Sequence, residues 1–179
     1  MKWGGSASGA RRRRRLRRWT RQDLLAATHE CGHLVAAIRQ GVRAHWATID
    51  GNESWNGRTC FSRSRKLSPK GVKAHVILLL AGEAAEAKLT GRSAREGSRS
   101  DRSEALELAR TLFDGAGEAE KYVEDLEAAA KRLVATPRWW GPIVRMSQEL
   151  VEKRALSGAA GRRIVWEYDR SQPSNRTKG

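Results

Sequence analysis

Residues 28–38 read THECGHLVAAI, and the fold turns on how this stretch is built. Leu24, Thr28, Cys31, Val35 and Ile38 recur at the helical period and predict one buried stripe. Thr20, with Asp23 three residues on, supplies an N-cap, and Gly41 supplies a natural C′ residue. The predicted helix therefore runs from residue 20 to about 40. At its middle stands His29-Glu30-Cys31-Gly32-His33, the pattern HExxH.

Histidines at i and i+4 share a helix face, about 5–6 Å apart at Cβ, so both imidazoles reach one ion. Glu30 is rotated by about 100° from His29, which sets it beside an ion rather than on it. Zinc in such a site acidifies a water and polarises a carbonyl. A neighbouring carboxylate then takes a proton and passes it to a leaving amine, which is amide hydrolysis. Ala26, Ala36 and Ala37 leave room around the histidines. Gly32 costs about 1 kcal/mol against alanine in mid-helix, so a close approach of another backbone is expected there. The plainer alternative is a chance pattern of two ordinary histidines and a solvated glutamate.

A catalytic zinc needs a third protein ligand and an open position. Glu83, Glu86, Asp101 and His75 are the downstream candidates. Residues 44–49 and 57–62 have β character, joined by a polar, glycine-bearing stretch at 50–56. Ser68-Pro69 opens a second helix, the most apolar, which closes at Thr90-Gly91. Further helices are expected near 101–113, 118–135 and 140–156, then a short one capped by Ser157 and ending near Trp166. Asp101 followed by Glu104 also reads as a capping box, so Asp101 has a purely structural role open to it. Trp139-Trp140, between Pro137 and Pro142, is expected to pack a helix corner. His45 and His75 have no spaced partner and read as ordinary residues. A tail from residue 170 is expected to be frayed.

The totals bound the rest. The 179 residues suit one domain of α+β class, mostly helical with a small β-sheet. Two cysteines, Cys31 and Cys60, are too few for a disulfide framework and fit a cytoplasmic location. The longest apolar run, residues 76–81, is far short of the roughly 20 residues of a spanning helix. The formal charge is +15, and residues 1–18 hold +8 of it through Lys2 and seven arginines. That stretch reads as a disordered basic arm, with Trp3 and Trp19 flanking its arginine run. It could engage nucleic acid, an acidic partner or an anionic membrane surface, or merely stay solvated. No apolar core follows the arginines, so no secretory signal is expected.

Several segments together resemble a known family. THECGHLVAAI resembles the zinc helix of the FtsH-type AAA metalloprotease peptidase domain, where the motif reads HEAGH. ILLLAGEAAEAKLTG (residues 77–91) resembles that family's LGGRAAEE helix. GSRSDRSEALELAR (residues 97–110) is similar to its GAxxDLxxATxLAR segment at Gly97, Asp101, Ala105, Leu108, Ala109 and Arg110. LVEKRALSGAAGRRI (residues 150–164) echoes the closing pattern at Leu150, Glu152, Leu156 and Gly158. The departures are Cys31 for alanine, Arg102 for leucine and Leu106 for threonine.

The resemblance implies a zincin-like metallopeptidase domain over residues 19–169. In it Zn2+ is held by His29, His33 and Asp101, Glu30 is the general base, and Glu86 is an outer partner or alternative ligand. It also implies that the second β segment, Gly57, Arg58, Thr59, Cys60 and Phe61, borders the cleft and takes the substrate as an added strand. A plain structural hairpin is the other reading of that segment. No GxxxxGK[ST] loop occurs, so the expected activity is ATP-independent cleavage of peptides or unfolded protein. The rival expectation is a non-catalytic, peptidase-like binding module with a nucleic-acid-binding arm.

Overall fold

The computed structural model describes residues 19–51, 57–64, 66–92 and 98–172. The expected basic arm, most of the 50–56 connection, Gly97 and residues 173–179 of the tail lie outside the described residues. The chain is mostly helical with one small antiparallel sheet: α1 (Arg21–Arg39), β1 (Ala44–Thr48), β2 (Arg58–Phe61), α2 (Pro69–Thr90), α3 (Ser98–Ala109), α4 (Ala116–Ala135), α5 (Pro137–Lys153), β3 (Ala155–Ser157) and α6 (Gly158–Ser171). No helix among the described residues is long and apolar enough to cross a membrane.

Helix α1 begins as its sequence asks. The Thr20 side chain accepts from the Asp23 N–H, and the Asp23 carboxylate accepts from the Thr20 N–H. Two N–H groups that the helix cannot satisfy internally are paired by this reciprocal cap. At α2 the Ser68 side chain accepts from the Gly71 N–H, with Pro69 at the first helical position and Gly91 closing the helix at φ 68°. Helices α1 and α2 pack directly, and Gly32 is what lets them. A Cβ at Gly32 would lie 2.5 Å from the Ala81 carbonyl oxygen and 2.9 Å from Gly82 Cα. Around this contact Ala27, Cys31, Leu34, Val35, Leu78 and Ala81 are wholly buried.

The sheet runs β2-β1-β3 with both pairings antiparallel. Ala47 stands opposite Thr59 and Leu156, and the buried side chains of Ala47 and Leu156 turn this face to the core. Among the described residues strand β2 pairs with β1 alone, which leaves it an edge strand. Its far end is tied down by His75, whose Nε2 lies 3.2 Å from the Ser62 carbonyl while Nδ1 lies 2.9 Å from that of Gly71. His45 Nε2 lies 2.9 Å from the Ser62 hydroxyl.

Four expectations are corrected. Helix α3 starts at Ser98, so Asp101 lies inside its first turn instead of capping it. Helix α5 starts at Pro137, directly after α4, because Thr136 in an extended conformation turns the chain without a loop. A third strand, β3, lies between α5 and α6. Helix α6 runs on to Ser171, held by a two-pronged ion pair from Arg39 to Asp169 at 2.6 and 2.7 Å. The Trp139-Trp140 corner is as expected: Trp139 is buried, and Lys88 Nζ stands 4.9 Å over the Trp140 ring.

Arg154 fastens the start of α1 to the end of the sheet. It closes α5 at φ 67° and donates to the Asp23 carboxylate, to Asp50 Oδ1 at 2.9 Å and to the Ile49 carbonyl at 2.8 Å. Burial opposes ionisation of Asp23, but Arg154 and the Thr20 cap outweigh it and hold the carboxyl down at about 2. A depressed carboxyl stabilises the fold above its unfolded value near 4, and that contribution is lost as pH falls through about 2. Asp23→Asn is therefore expected to lower the urea midpoint at about pH 6, with the gap to wild type closing between about pH 4 and pH 2. A gap independent of pH would remove Asp23 ionisation from the account.

Gly32→Ala tests the helix contact. Propensity alone favours alanine by about 1 kcal/mol. Overpacking against a backbone carbonyl costs about 1–3 kcal/mol, and the expected net effect is destabilisation. Equilibrium denaturation giving a more stable variant would mean that the two helices yield at no cost.

Candidate metal centre

The site is assembled on the α1–α2 contact. A Cβ on Gly82 would lie 2.5 Å from His33 Nε2 and 2.9 Å from His29 Nε2, so only glycine leaves the space under both rings free. The rings meet edge to face, with centroids 4.7 Å apart. His33 is buried, and its Nδ1 lies 2.9 Å from the Leu78 carbonyl. A carbonyl only accepts, so Nδ1 carries the proton and Nε2 faces the site. His29 Nδ1 lies 3.5 Å from Glu86 Oε2, which orients that ring in the same sense.

Asp101 arrives from α3. Its Oδ2 is 3.1 Å from His29 Nε2 and 3.3 Å from His33 Nε2. One ligand atom from each of these three residues lies within 4.8 Å of the others, close enough for one ion to touch all three. The electrostatics call for positive charge at that meeting point. Burial disfavours a charged His29, yet the bonds to Asp101 and Glu86 overcome it and push the group up to about 10. His33 is raised in the same way, burial again being outweighed by Asp101. Burial would raise Asp101, but the two imidazoles hold it well below the usual carboxylate range. Two imidazole nitrogens and one carboxylate oxygen are a donor set that suits zinc and leaves a position open.

Glu30 is buried beside this group and held by β2. The Thr59 hydroxyl lies 2.7 Å from Glu30 Oε2, as donor to the carboxylate, and 3.0 Å from the Glu30 main-chain oxygen. Gly57 lies so close that a Cβ there would come within 2.8 Å of Glu30 Oε1. Of the five residues expected to bind substrate, Gly57 and Thr59 thus touch Glu30 itself. Phe61 turns toward His75, their ring centroids 6.1 Å apart, while Arg58 is exposed and Cys60 is a half-buried free thiol.

Among the described residues, Glu83 and His75 take no part in the group of three, and Glu86 stands behind His29 instead of beside Asp101. The sequence reading missed the Leu78 carbonyl, the clearance at Gly82 and the grip of Thr59 on Glu30. Gly82, a glycine inside an otherwise apolar helix, was the one signal available for these. No protein-family model matches the chain, and a search of curated proteins finds no match.

Substituting the acids separates a ligand from its support. Asp101→Asn, neutral and nearly isosteric, is expected to fold and to bind zinc at least about a hundredfold more weakly. Glu86→Gln, acting through His29, is expected to cost about ten- to a hundredfold. Competition with a chromophoric chelator measures both. Zinc affinity lower in Glu86→Gln than in Asp101→Asn would exchange their roles.

Proposed function

We propose that the chain is a zinc-dependent peptidase of zincin-like type, working without ATP. The observation that carries the reading is the meeting of His29 Nε2, His33 Nε2 and Asp101 Oδ2 beside a buried glutamate that binds neither histidine. The likeness of residues 28–38, 77–91 and 97–110 to the FtsH-type peptidase domain supports the same ligand set. Zinc, when bound, supplies Lewis acidity for water and for a carbonyl.

The chain's own residues do the rest. His33, steered by the Leu78 carbonyl, and His29, steered by Glu86, point Nε2 into the site, so neither ring would need to reorient to hold an ion there. Glu30 takes the proton of the attacking water and returns it to the departing amine. Thr59 fixes Oε2, so Oε1 is the oxygen left to carry that proton. The edge of β2 not paired with β1 offers main-chain groups to an extended polypeptide, whose backbone can pair with it whatever its side chains. Backbone pairing of this kind selects for unfolded chain.

Glu30→Gln keeps the shape of the side chain and removes its proton affinity. The purified wild-type chain is expected to carry one equivalent of zinc and to cut an unfolded protein. The variant should keep the zinc and lose about a hundredfold or more in rate. A metallated Glu30→Gln with wild-type rates, or a wild type that holds stoichiometric iron, would overturn the proposal.

A further inference from the structure

The cleft can be traced from its contacts. At one end stand Glu30, Thr59 and the three-residue cluster. From there β2 runs to Ser62, whose carbonyl sits at His75, seven residues and about two turns of α2 before Gly82. Helix α3 starts near the cluster with Asp101 and carries Glu104 one turn farther on. From the segment two residues past the end of β2, Arg63 Nη1 donates to Glu104 Oε1 at 2.5 Å. The pair therefore ties the segment that follows β2 to α3, one helical turn beyond Asp101.

Two properties make it a latch rather than a brace. Both side chains are well exposed, 44% for Arg63 and 38% for Glu104, and an ion pair so exposed contributes little to the fold. Its partners also lie on separate walls, so breaking it disturbs neither strand nor helix. By contrast the Arg154 and Arg39 pairs, which join elements of the core, are largely shielded at the arginine. A guanidinium held at a cleft end by an exchangeable carboxylate is available to another carboxylate.

We propose that the Arg63–Glu104 ion pair closes one end of the cleft, and that an acidic side chain of an extended polypeptide opens it by replacing Glu104 on Arg63. The inference deepens the peptidase reading and rests on it for the identity of the cleft. It makes Arg63 the residue that determines specificity. The preferred substrate is an unfolded segment with an Asp or Glu a few residues to one side of the cleaved bond.

The test uses the full-length, zinc-loaded Glu30→Gln chain, and its readout is binding, not turnover. Fluorescein-labelled peptides of about ten residues are prepared as pairs that differ by one Asp/Asn exchange at successive positions, and their anisotropy is titrated. At one position the Asp peptide is expected to bind about two- to fivefold tighter than its Asn partner, the range of one exposed ion pair. Arg63→Gln should abolish that preference. Glu104→Gln removes the closure for any peptide, so both members of a pair should bind tighter, the Asp member more so because Arg63 is freed for it. The basic arm is present in every variant, so its contribution cancels in the comparison.

Equal affinities at every position, or a preference that survives Arg63→Gln, would overturn the latch. Cleavage by the wild type alongside such a result leaves the peptidase reading standing. If the preference tracks Arg63 and the wild type cuts none of the peptides, the latch holds and the peptidase reading falls.

Discussion

The contact between α1 and α2 at Gly32 and Gly82 is the constraint on which the remainder hangs. Two helices brought this near lose the volume of one side chain on each side, and the loss is put to different uses. At Gly32 the missing Cβ admits the Ala81 carbonyl and fixes the spacing of the helices. At Gly82 it opens the space beneath two imidazoles. The His33 ring is then held by the Leu78 carbonyl of the same neighbouring helix, so one interface sets both the room and the orientation. Neighbouring elements complete the site: α3 packs against α2 and delivers Asp101, and β2 packs against α1 and delivers Thr59.

What could be read from the sequence was local, and what could not was mostly a matter of distant pairing. The Thr20–Asp23 cap, the Ser68-Pro69 start and the Gly91 stop are short-range chemistry, and all three occur as read. The mid-helix glycine at 32 signalled its neighbour because its cost in propensity needed a compensation. Asp101 was misplaced within its helix because an acid followed by Glu104 imitates a cap, while Ser98 actually begins α3. Strand β3 escaped because three residues carry no period, and only its pairing with Trp46, Ala47 and Thr48 makes it a strand. The contact of Thr59 with Glu30 escaped because nothing local to residues 57–61 announces a partner 29 residues away.

The acids around the cluster divide their work by reach. Asp101 is short and lies on a helix whose first turn points at both rings. Glu86 is longer and comes from behind His29. Glu30 is kept off the rings by Thr59 and by the closeness of Gly57. Three carboxylates thus crowd one pair of histidines without becoming interchangeable, and the separation comes from which element carries each one.

The sheet order has a bearing on how the chain comes to be made. Strand β1 lies at the centre, yet its two neighbours are separated in sequence by more than half of the domain: β2 follows it closely, whereas β3 is made only after α2, α3, α4 and α5. During synthesis β1 must therefore wait with one side unpaired while over a hundred residues emerge. An unsatisfied strand edge is an invitation to pair with a neighbouring nascent chain. Once β3 arrives, the Ile49 N–H and the Thr48 hydroxyl both bond to the Arg154 carbonyl at the junction of α5 and β3. Strand β3, the last strand among the described residues, is in this sense the one that ends the hazard, and a chain truncated before residue 155 would keep it permanently.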